Sequence, residues 1–180
     1  WDYTNTQQIT LADLEIDGEM RKVLMQAPKN GFFYVIDREN GKLISAEPYV
    51  YQNWAERIDL ETGRPVETPN ARYTDGPQMV LPGGIGGHAW QPMSYNPDTG
   101  LVYIPAMTVP LVYEHNENYE VHYGRWNTGV TFTDPPETPE LRGDVDARRA
   151  QMRALQKGYL IAWDPVAQEP RWTVEREWPW

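Results

Sequence analysis

Apolar residues along this chain occur in short runs that alternate with polar positions, and turn residues separate the runs. The runs are rich in Val, Ile, Tyr, Phe and Trp, which favour β-strands over helices. The pattern predicts eight strands, at 8–14, 21–27, 31–37, 43–49, 93–96, 101–106, 158–164 and 171–175. The sequence therefore predicts an all-β protein.

The predicted turns share a simple chemistry, in which glycine follows Asn or Thr. Each such pair places a glycine where a tight turn needs a positive φ. The glycines are Gly31, Gly41, Gly63 and Gly100. We expect tight turns at all of them.

A unit of strand, acidic turn, glycine and strand recurs at 36–42, 58–64 and 95–101, and a degenerate copy runs over 162–172. Repeated units of this kind favour a radially repeated fold, with a β-propeller as the first choice. The spacing is uneven, so long insertions must interrupt any repeat. The same residues also make good hairpins in any β protein, and the repeat alone leaves that interpretation open.

The main insertion is predicted at about 108–157, a polar segment with three prolines between 135 and 139. Within it, 144–156 has the pattern of a short helix, with Asp144 as N-cap and Gly158 just beyond its end. We therefore expect a long, partly helical insertion.

Length and charge narrow the class of protein. The chain has 180 residues, 40% of them apolar, which suits one globular domain or a piece of a larger one. A formal charge of −10 argues against a nucleic-acid backbone or an anionic membrane surface as partner. No stretch approaches the roughly 18 apolar residues of a transmembrane helix. Because the chain begins at Trp1 and stops at Trp180 in mid-pattern, we expect it to be a fragment of a longer protein.

The sequence lacks the residues that several enzyme classes need for catalysis or binding. There is no cysteine, and the three histidines do not have the spacing of a helical zinc site. Neither of the two serines lies in a Gly-x-Ser-x-Gly elbow. The glycine-rich run 81–88 lacks the Gly-Lys-Ser/Thr ending of a P-loop. A backbone that passes close to a flat ligand, or that packs on a neighbouring blade, explains these glycines better.

The remaining candidates are an acid, a lysine and several tryptophans. Asp2 lies between Trp1 and Tyr3, and an acid buried among aromatic rings is a candidate general base. Lys29 follows an apolar strand in a Pro-Lys-Asn-Gly turn, where it could face an oxygen-rich ligand or simply solvent. Core packing is the default interpretation of the tryptophans, including Trp90.

Five segments together carry a family resemblance. They are WDYT at 1–4, RKVLMQAPKNGFFYVIDR at 21–38, NWA at 53–55, IDLETGRP at 58–65 and GGHAWQPMS at 86–94. With these motifs in this order, the chain resembles the pyrroloquinoline quinone (PQQ) dependent alcohol dehydrogenases, and within them the quinohaemoprotein type. The resemblance covers nearly the whole chain and is weakest over 113–153.

The resemblance implies an eight-bladed β-propeller whose blades carry tryptophan-docking motifs, and 164–172 looks like one such motif. At roughly 45 to 50 residues a blade, the chain is expected to hold about three blades. Residues 1–180 would then form part of one PQQ-binding catalytic domain.

The resemblance also implies residue roles. Asp2 matches the catalytic base and would lie beside a Ca²⁺ ion. Lys29 matches the cation that hydrogen-bonds the quinone oxygens, while Trp90 and Trp180 match PQQ contacts. Ala89 stands where the family usually has an Asn that contacts PQQ, so one amide contact is expected to be lost. Lanthanide-dependent relatives have an extra Asp at the position of Thr4. Because Thr4 supplies no negative charge, it favours Ca²⁺ over a trivalent ion.

The implied activity is the oxidation of primary alcohols to aldehydes, with hydride transfer to PQQ and Ca²⁺ as Lewis acid. The implied location is the periplasm, with cytochrome c or a fused haem c domain outside this segment as electron acceptor. Two alternatives stay open: a non-catalytic propeller that serves as a binding scaffold, and a carbohydrate-active β protein. The isolated 180 residues are expected not to turn over, because they hold only part of a cofactor pocket.

Overall fold

The computed structural model describes residues 3–125, 127–132 and 139–179. Its strands, in chain order, are β1 (Thr10–Ile16), β2 (Glu19–Gln26), β3 (Phe32–Asp37), β4 (Leu43–Pro48), β5 (Ala55–Ile58), β6 (Pro65–Glu67), β7 (Gln78–Val80), β8 (Ser94–Asn96), β9 (Leu101–Thr108), β10 (Leu111–His115), β11 (Val130–Phe132), β12 (Lys157–Asp164) and β13 (Glu169–Arg176). The helix α1 spans Val145–Ala154, and short 3₁₀ turns lie at Pro69–Ala71 and Pro139–Leu141. The chain is mostly β, as predicted.

Two four-stranded antiparallel sheets form the larger part of the fold. Their strand orders are β1-β2-β3-β4 and β13-β12-β9-β8. All eight strands predicted from the sequence are found, and together they make up these two sheets.

The remaining strands form smaller sheets, with the orders β11-β10-β7 and β5-β6. The described residues therefore contain two four-stranded sheets of the kind that forms a propeller blade. The expected count of about three blades is not confirmed, because five of the strands are divided between a three-stranded and a two-stranded sheet.

The repeated sequence unit forms the same turn four times, at β3-β4, β5-β6, β8-β9 and β12-β13. In each turn the first residue's carbonyl accepts a hydrogen bond from the amide four residues later, at 2.8 to 2.9 Å; these residues are Asp37, Asp59, Asn96 and Asp164. The predicted positive φ is present at Gly41, Gly63 and Gly100. In the degenerate copy, Gln168 takes the glycine's place at a φ of 57°.

The core lies on both faces of the first sheet, because alternate residues of β3 point in opposite directions. Phe33 packs on Trp163 of the second four-stranded sheet, with ring centroids 5.7 Å apart. Phe32 packs edge-on against Trp54, in the cluster shared with the smaller sheets. Burying such a side chain contributes roughly 1.5 to 3 kcal/mol. The prediction of core packing is correct for Trp54 and Trp163, which are buried, and wrong for Trp90 and Trp172, which are exposed.

The segment 109–156 lies between two neighbouring strands of one sheet. Thr108 at the end of β9 pairs with Lys157 at the start of β12. The segment contributes β10 and β11 to the three-stranded sheet, and then forms α1. The Asp144 side chain accepts a hydrogen bond from the amide of Ala147, which confirms the predicted N-cap. This is the single α-helix of the described residues; it lies where the short helix was predicted, and a long helical insertion beyond it is not confirmed.

None of the helices in the described part of the chain is long and apolar enough to cross a membrane.

Candidate functional site

Lys29 lies in the turn between β2 and β3, and hydrogen bonds from other parts of the chain fix the backbone of this turn. Four consecutive carbonyl oxygens have partners outside the turn. They are Ala27 with His88 Nδ1 at 2.8 Å, Pro28 with the Tyr49 hydroxyl at 2.6 Å, Lys29 with the Gly87 amide at 2.8 Å, and Asn30 with Trp54 Nε1 at 2.9 Å. The position of the lysine backbone is thereby fixed.

The glycine-rich run packs directly on this turn. A Cβ atom at Gly86 would lie 2.5 Å from Lys29 Cγ and 2.8 Å from Lys29 Cα. At the next position, a Cβ atom at Gly87 would lie 2.6 Å from Val50 Cγ2. Because real Cβ contacts are longer than this, both positions need glycine. The run allows two segments of backbone to meet, which is the packing interpretation made from the sequence.

His88 follows these glycines and is fully buried. Its Nδ1 lies 2.8 Å from the carbonyl oxygen of Ala27, and its Nε2 lies 2.6 Å from that of Gln91. Burial lowers the pKa of His88, and the two backbone contacts oppose this only in part. The ring connects the Lys29 turn with the segment that follows Trp90.

Trp90 itself is 79% exposed, although the backbone around it is held. The Gln7 side-chain amide donates to the carbonyl oxygens of His88 and Ala89, at 2.8 and 3.0 Å. Ala89 is buried with Met107. The indole therefore projects from a fixed backbone toward solvent, where a flat ligand could reach it.

Tyr3 anchors the start of the described chain to the same region. Its hydroxyl donates to the carbonyl oxygen of Pro82 at 2.6 Å, and its ring centroid lies 5.4 Å from that of Trp54. Burial raises the pKa of Tyr3 far above the usual range. Tyr3 thus contacts both the glycine-rich run and the tryptophan that holds Asn30.

The other two predicted site residues, Asp2 and Trp180, lie outside the described residues. Among the described ranges, no group of three or more His, Asp or Glu side chains is arranged to hold a metal ion.

Sequence reasoning did not assign a site role to Gln7, Tyr49, Trp54 or His88. Each acts on a backbone carbonyl that is distant in sequence, and no local pattern marks such a contact. The one available signal was the position of His88 directly after the glycine-rich run.

Comparison with known proteins supports the resemblance. Residues 1–50 match the PQQ family model described as "Glucose/ethanol/alcohol dehydrogenase, beta-propeller domain". A quinohemoprotein alcohol dehydrogenase, ADH IIB of Pseudomonas putida, is 51% identical over 180 residues, which cover 100% of this chain and 24% of that protein.

Solved structures agree in fold. Quinohemoprotein alcohol dehydrogenase ADHIIG of Pseudomonas putida HK5 superposes with a TM-score of 0.86 at 46% identity, over 99% of this chain and 26% of that one. A europium-containing methanol dehydrogenase superposes with a TM-score of 0.78 at 31% identity, over 99% of this chain and 29% of that one. The chain spans about a quarter of the length of the relatives it matches. The resemblance predicted from the sequence is confirmed.

Proposed function

Since this chain is similar over its whole length to a quarter of the quinohaemoprotein alcohol dehydrogenases, we propose that it forms part of the PQQ-binding β-propeller of an alcohol dehydrogenase. The whole protein would oxidise primary alcohols to aldehydes in the periplasm. Electrons would pass to cytochrome c, or to a haem c domain outside this segment.

The observation that carries the proposal is that the backbone segments bearing Lys29 and the exposed Trp90 are joined through the buried His88. PQQ is a planar aromatic quinone with three carboxylates, so an ammonium group and an indole face complement it in charge and shape. Lys29 and Trp90 supply these groups, and the Gly86–His88 backbone joins the segments that bear them. The described residues therefore fit the cofactor.

The family resemblance assigns the residue roles in this proposal. Lys29 donates hydrogen bonds to the quinone oxygens, and Trp90 and Trp180 pack against the ring. Asp2 accepts the hydroxyl proton of the alcohol, since a carboxylate is a suitable general base. When bound, PQQ supplies the acceptor for the hydride that leaves the alcohol carbon.

We also propose that the complete protein uses Ca²⁺, with the Asp2 carboxylate as one of its ligands and a Lewis-acid role for the ion. Oxygen ligands suit this hard cation. Thr4 supports Ca²⁺ over a trivalent ion, because it adds no negative charge two residues after Asp2.

The test is Asp2→Asn in the complete protein that contains this chain, with Asp98→Asn as the matched control in an exposed turn. We expect Asp2→Asn to abolish alcohol-dependent dye reduction while PQQ still binds, and Asp98→Asn to behave as wild type. Near-normal turnover of the Asp2 variant would remove Asp2 from its role. A wild-type protein that binds no PQQ would refute the proposed function and favour the scaffold alternative.

A further inference from the structure

Lys29 and Trp90 lie on two separate segments, and the side chain of His88 touches both segments. We infer that His88 is a positioning residue that holds Lys29 and Trp90 in a fixed relation, with Tyr49 as a second anchor of the Lys29 turn. The inference rests on the proposed function, which assigns cofactor contacts to Lys29 and Trp90.

The geometry of the imidazole carries the inference. One ring nitrogen contacts the carbonyl oxygen of Ala27, two residues before Lys29, at 2.8 Å. The other contacts the carbonyl oxygen of Gln91, the residue after Trp90, at 2.6 Å. Both contacts are to backbone, so a change at the ring moves main chain beside each proposed cofactor contact.

The histidine is itself held in place. Its carbonyl oxygen accepts a hydrogen bond from Gln7 Nε2 at 2.8 Å, and Gln26 Nε2 in turn donates to the Gln7 carbonyl oxygen at 2.8 Å. The amide of Gly87, the preceding residue, donates to the Lys29 carbonyl oxygen. His88 therefore belongs to a buried hydrogen-bond network that fixes its backbone.

The Lys29 turn has a second anchor that does not reach Trp90. The Tyr49 hydroxyl donates to the Pro28 carbonyl oxygen at 2.6 Å, and its amide donates to the Gly31 carbonyl oxygen at 2.9 Å. Loss of this hydroxyl removes the hydrogen bond to the Pro28 carbonyl oxygen and leaves the contact between His88 and Gln91 intact. Comparing a Tyr49 variant with a His88 variant therefore distinguishes an effect on the Lys29 turn alone from an effect on both segments.

Histidine suits this role because it carries two polar atoms on opposite sides of a rigid ring. The neutral ring donates to one of the two carbonyl oxygens, with the tautomer deciding which, and only the imidazolium donates to both. Glutamine carries both of its amide protons on one nitrogen at the end of a flexible stem, so it does not hold the two carbonyl oxygens in the directions that a rigid ring fixes.

The experiment uses the complete protein with His88→Gln, and His122→Gln as the control at an exposed histidine. Two quantities are measured: the Kd for PQQ by titration of the apoprotein, and the midpoint potential of bound PQQ. We expect His88→Gln to raise the Kd about tenfold, the effect of losing one buried hydrogen bond. The potential should fall by about 30 mV, which corresponds to a tenfold weaker preference of the site for the reduced form. His122→Gln should change neither quantity.

Tyr49→Phe provides a second test if His88→Gln does not fold. It should lower the midpoint potential, because Lys29 is less well held, while raising the Kd less than His88→Gln does. The inference is overturned if folded His88→Gln and Tyr49→Phe lower only the Tm and keep the wild-type Kd and potential. Wild-type protein that does not bind PQQ refutes the proposed function instead, so the two failures are distinct.

Discussion

Gly86 and Lys29 are in direct backbone contact: a methyl group on Gly86 would lie 2.8 Å from the Cα of Lys29. Gly86 also has a φ of 97°, in the region that favours glycine. The glycine-rich run therefore sets how far the lysine turn can lie from the rest of the proposed site.

Gly86→Ala should displace the Lys29 turn and weaken PQQ binding at least tenfold in the complete protein. The matched control is Gly100→Ala, which has a φ of 68° but no atom within 4 Å of the added methyl group. Both variants carry a left-handed backbone penalty of about 1 kcal/mol. PQQ titration of the two apoproteins checks this, and equal Kd values for both would show that the Gly86 contact does not place Lys29.

Tyr3→Phe should slow alcohol oxidation more than it weakens PQQ binding. The hydroxyl that is lost holds Pro82, and Tyr3 directly follows the proposed base Asp2 in the chain. Tyr103→Phe, on strand β9, removes a hydroxyl that lies 3.3 Å from the Thr99 hydroxyl, and serves as control. Steady-state kinetics decide the point: a rise in Kd for PQQ with unchanged kcat would contradict the prediction.

Acid should destabilise the fold through His88. Burial lowers the pKa of folded His88 below its ordinary value of about 6.5, so the unfolded chain binds the proton more readily. This contribution to the free energy of unfolding is complete above about pH 6.5 and is lost as the pH falls toward the folded pKa. Urea unfolding at about pH 8 and about pH 5.5 should show a larger loss for wild type than for His88→Gln. An equal loss in both would exclude His88 as the source.

Thr4→Asp should shift the metal preference of the complete protein from Ca²⁺ toward a trivalent lanthanide. The substitution adds a carboxylate two residues after Asp2, and a higher ion charge gains more from added negative charge. Chelation of the wild type should abolish dye reduction, and Ca²⁺ should restore it. Competition titrations on chelated protein measure the preference, with Thr74→Asp at an exposed position as a control for charge alone. The same lanthanide affinity in both variants would contradict a site beside Asp2.

The isolated chain should associate through the edge of its second four-stranded sheet. Among the described strands β13 pairs only with β12, and Val174 on it is 52% exposed. Unpaired strands with exposed apolar residues join other chains. Sedimentation should detect oligomers that Val174→Lys reduces, while Lys42→Arg, just before β4 of the other four-stranded sheet, leaves them unchanged. A monomeric wild-type chain would count against an open edge.

The fold could be predicted where strands are long and their turns are marked. All eight predicted strands belong to the four-stranded sheets, where an Asp or Asn, followed four residues later by glycine or by Gln168, forms the β3-β4, β8-β9 and β12-β13 turns. The five other strands contain three to five residues, which is too short for an alternating pattern; β8 is equally short but was predicted because a marked turn joins it to β9, and for β5-β6 only the turn was marked. Strand β7 pairs with β10, across a segment that includes two other strands, so neither strand has a hairpin turn to reveal it.

The candidate site was predictable only in part. Lys29 and Trp90 came from a family resemblance, and the structure describes both. The residues that hold them were not predictable, since Tyr49, Trp54 and His88 each bind a backbone oxygen 21 to 61 positions away. Backbone acceptors are the same at every position, so a sequence does not show which one a side chain will reach.

The insertion between β9 and β12 has a consequence for the rate of folding. The β8-β9 and β12-β13 hairpins close over short turns, whereas the central β9-β12 pairing closes a loop that contains residues 109–156. Loop closure grows more costly with the logarithm of loop length, and halving this loop would save only about 0.6 kcal/mol. Pairings between distant segments nevertheless slow folding. The two hairpins are therefore expected to form first, and the β9-β12 pairing that joins them is expected to form last, when the chain closes the loop of residues 109–156.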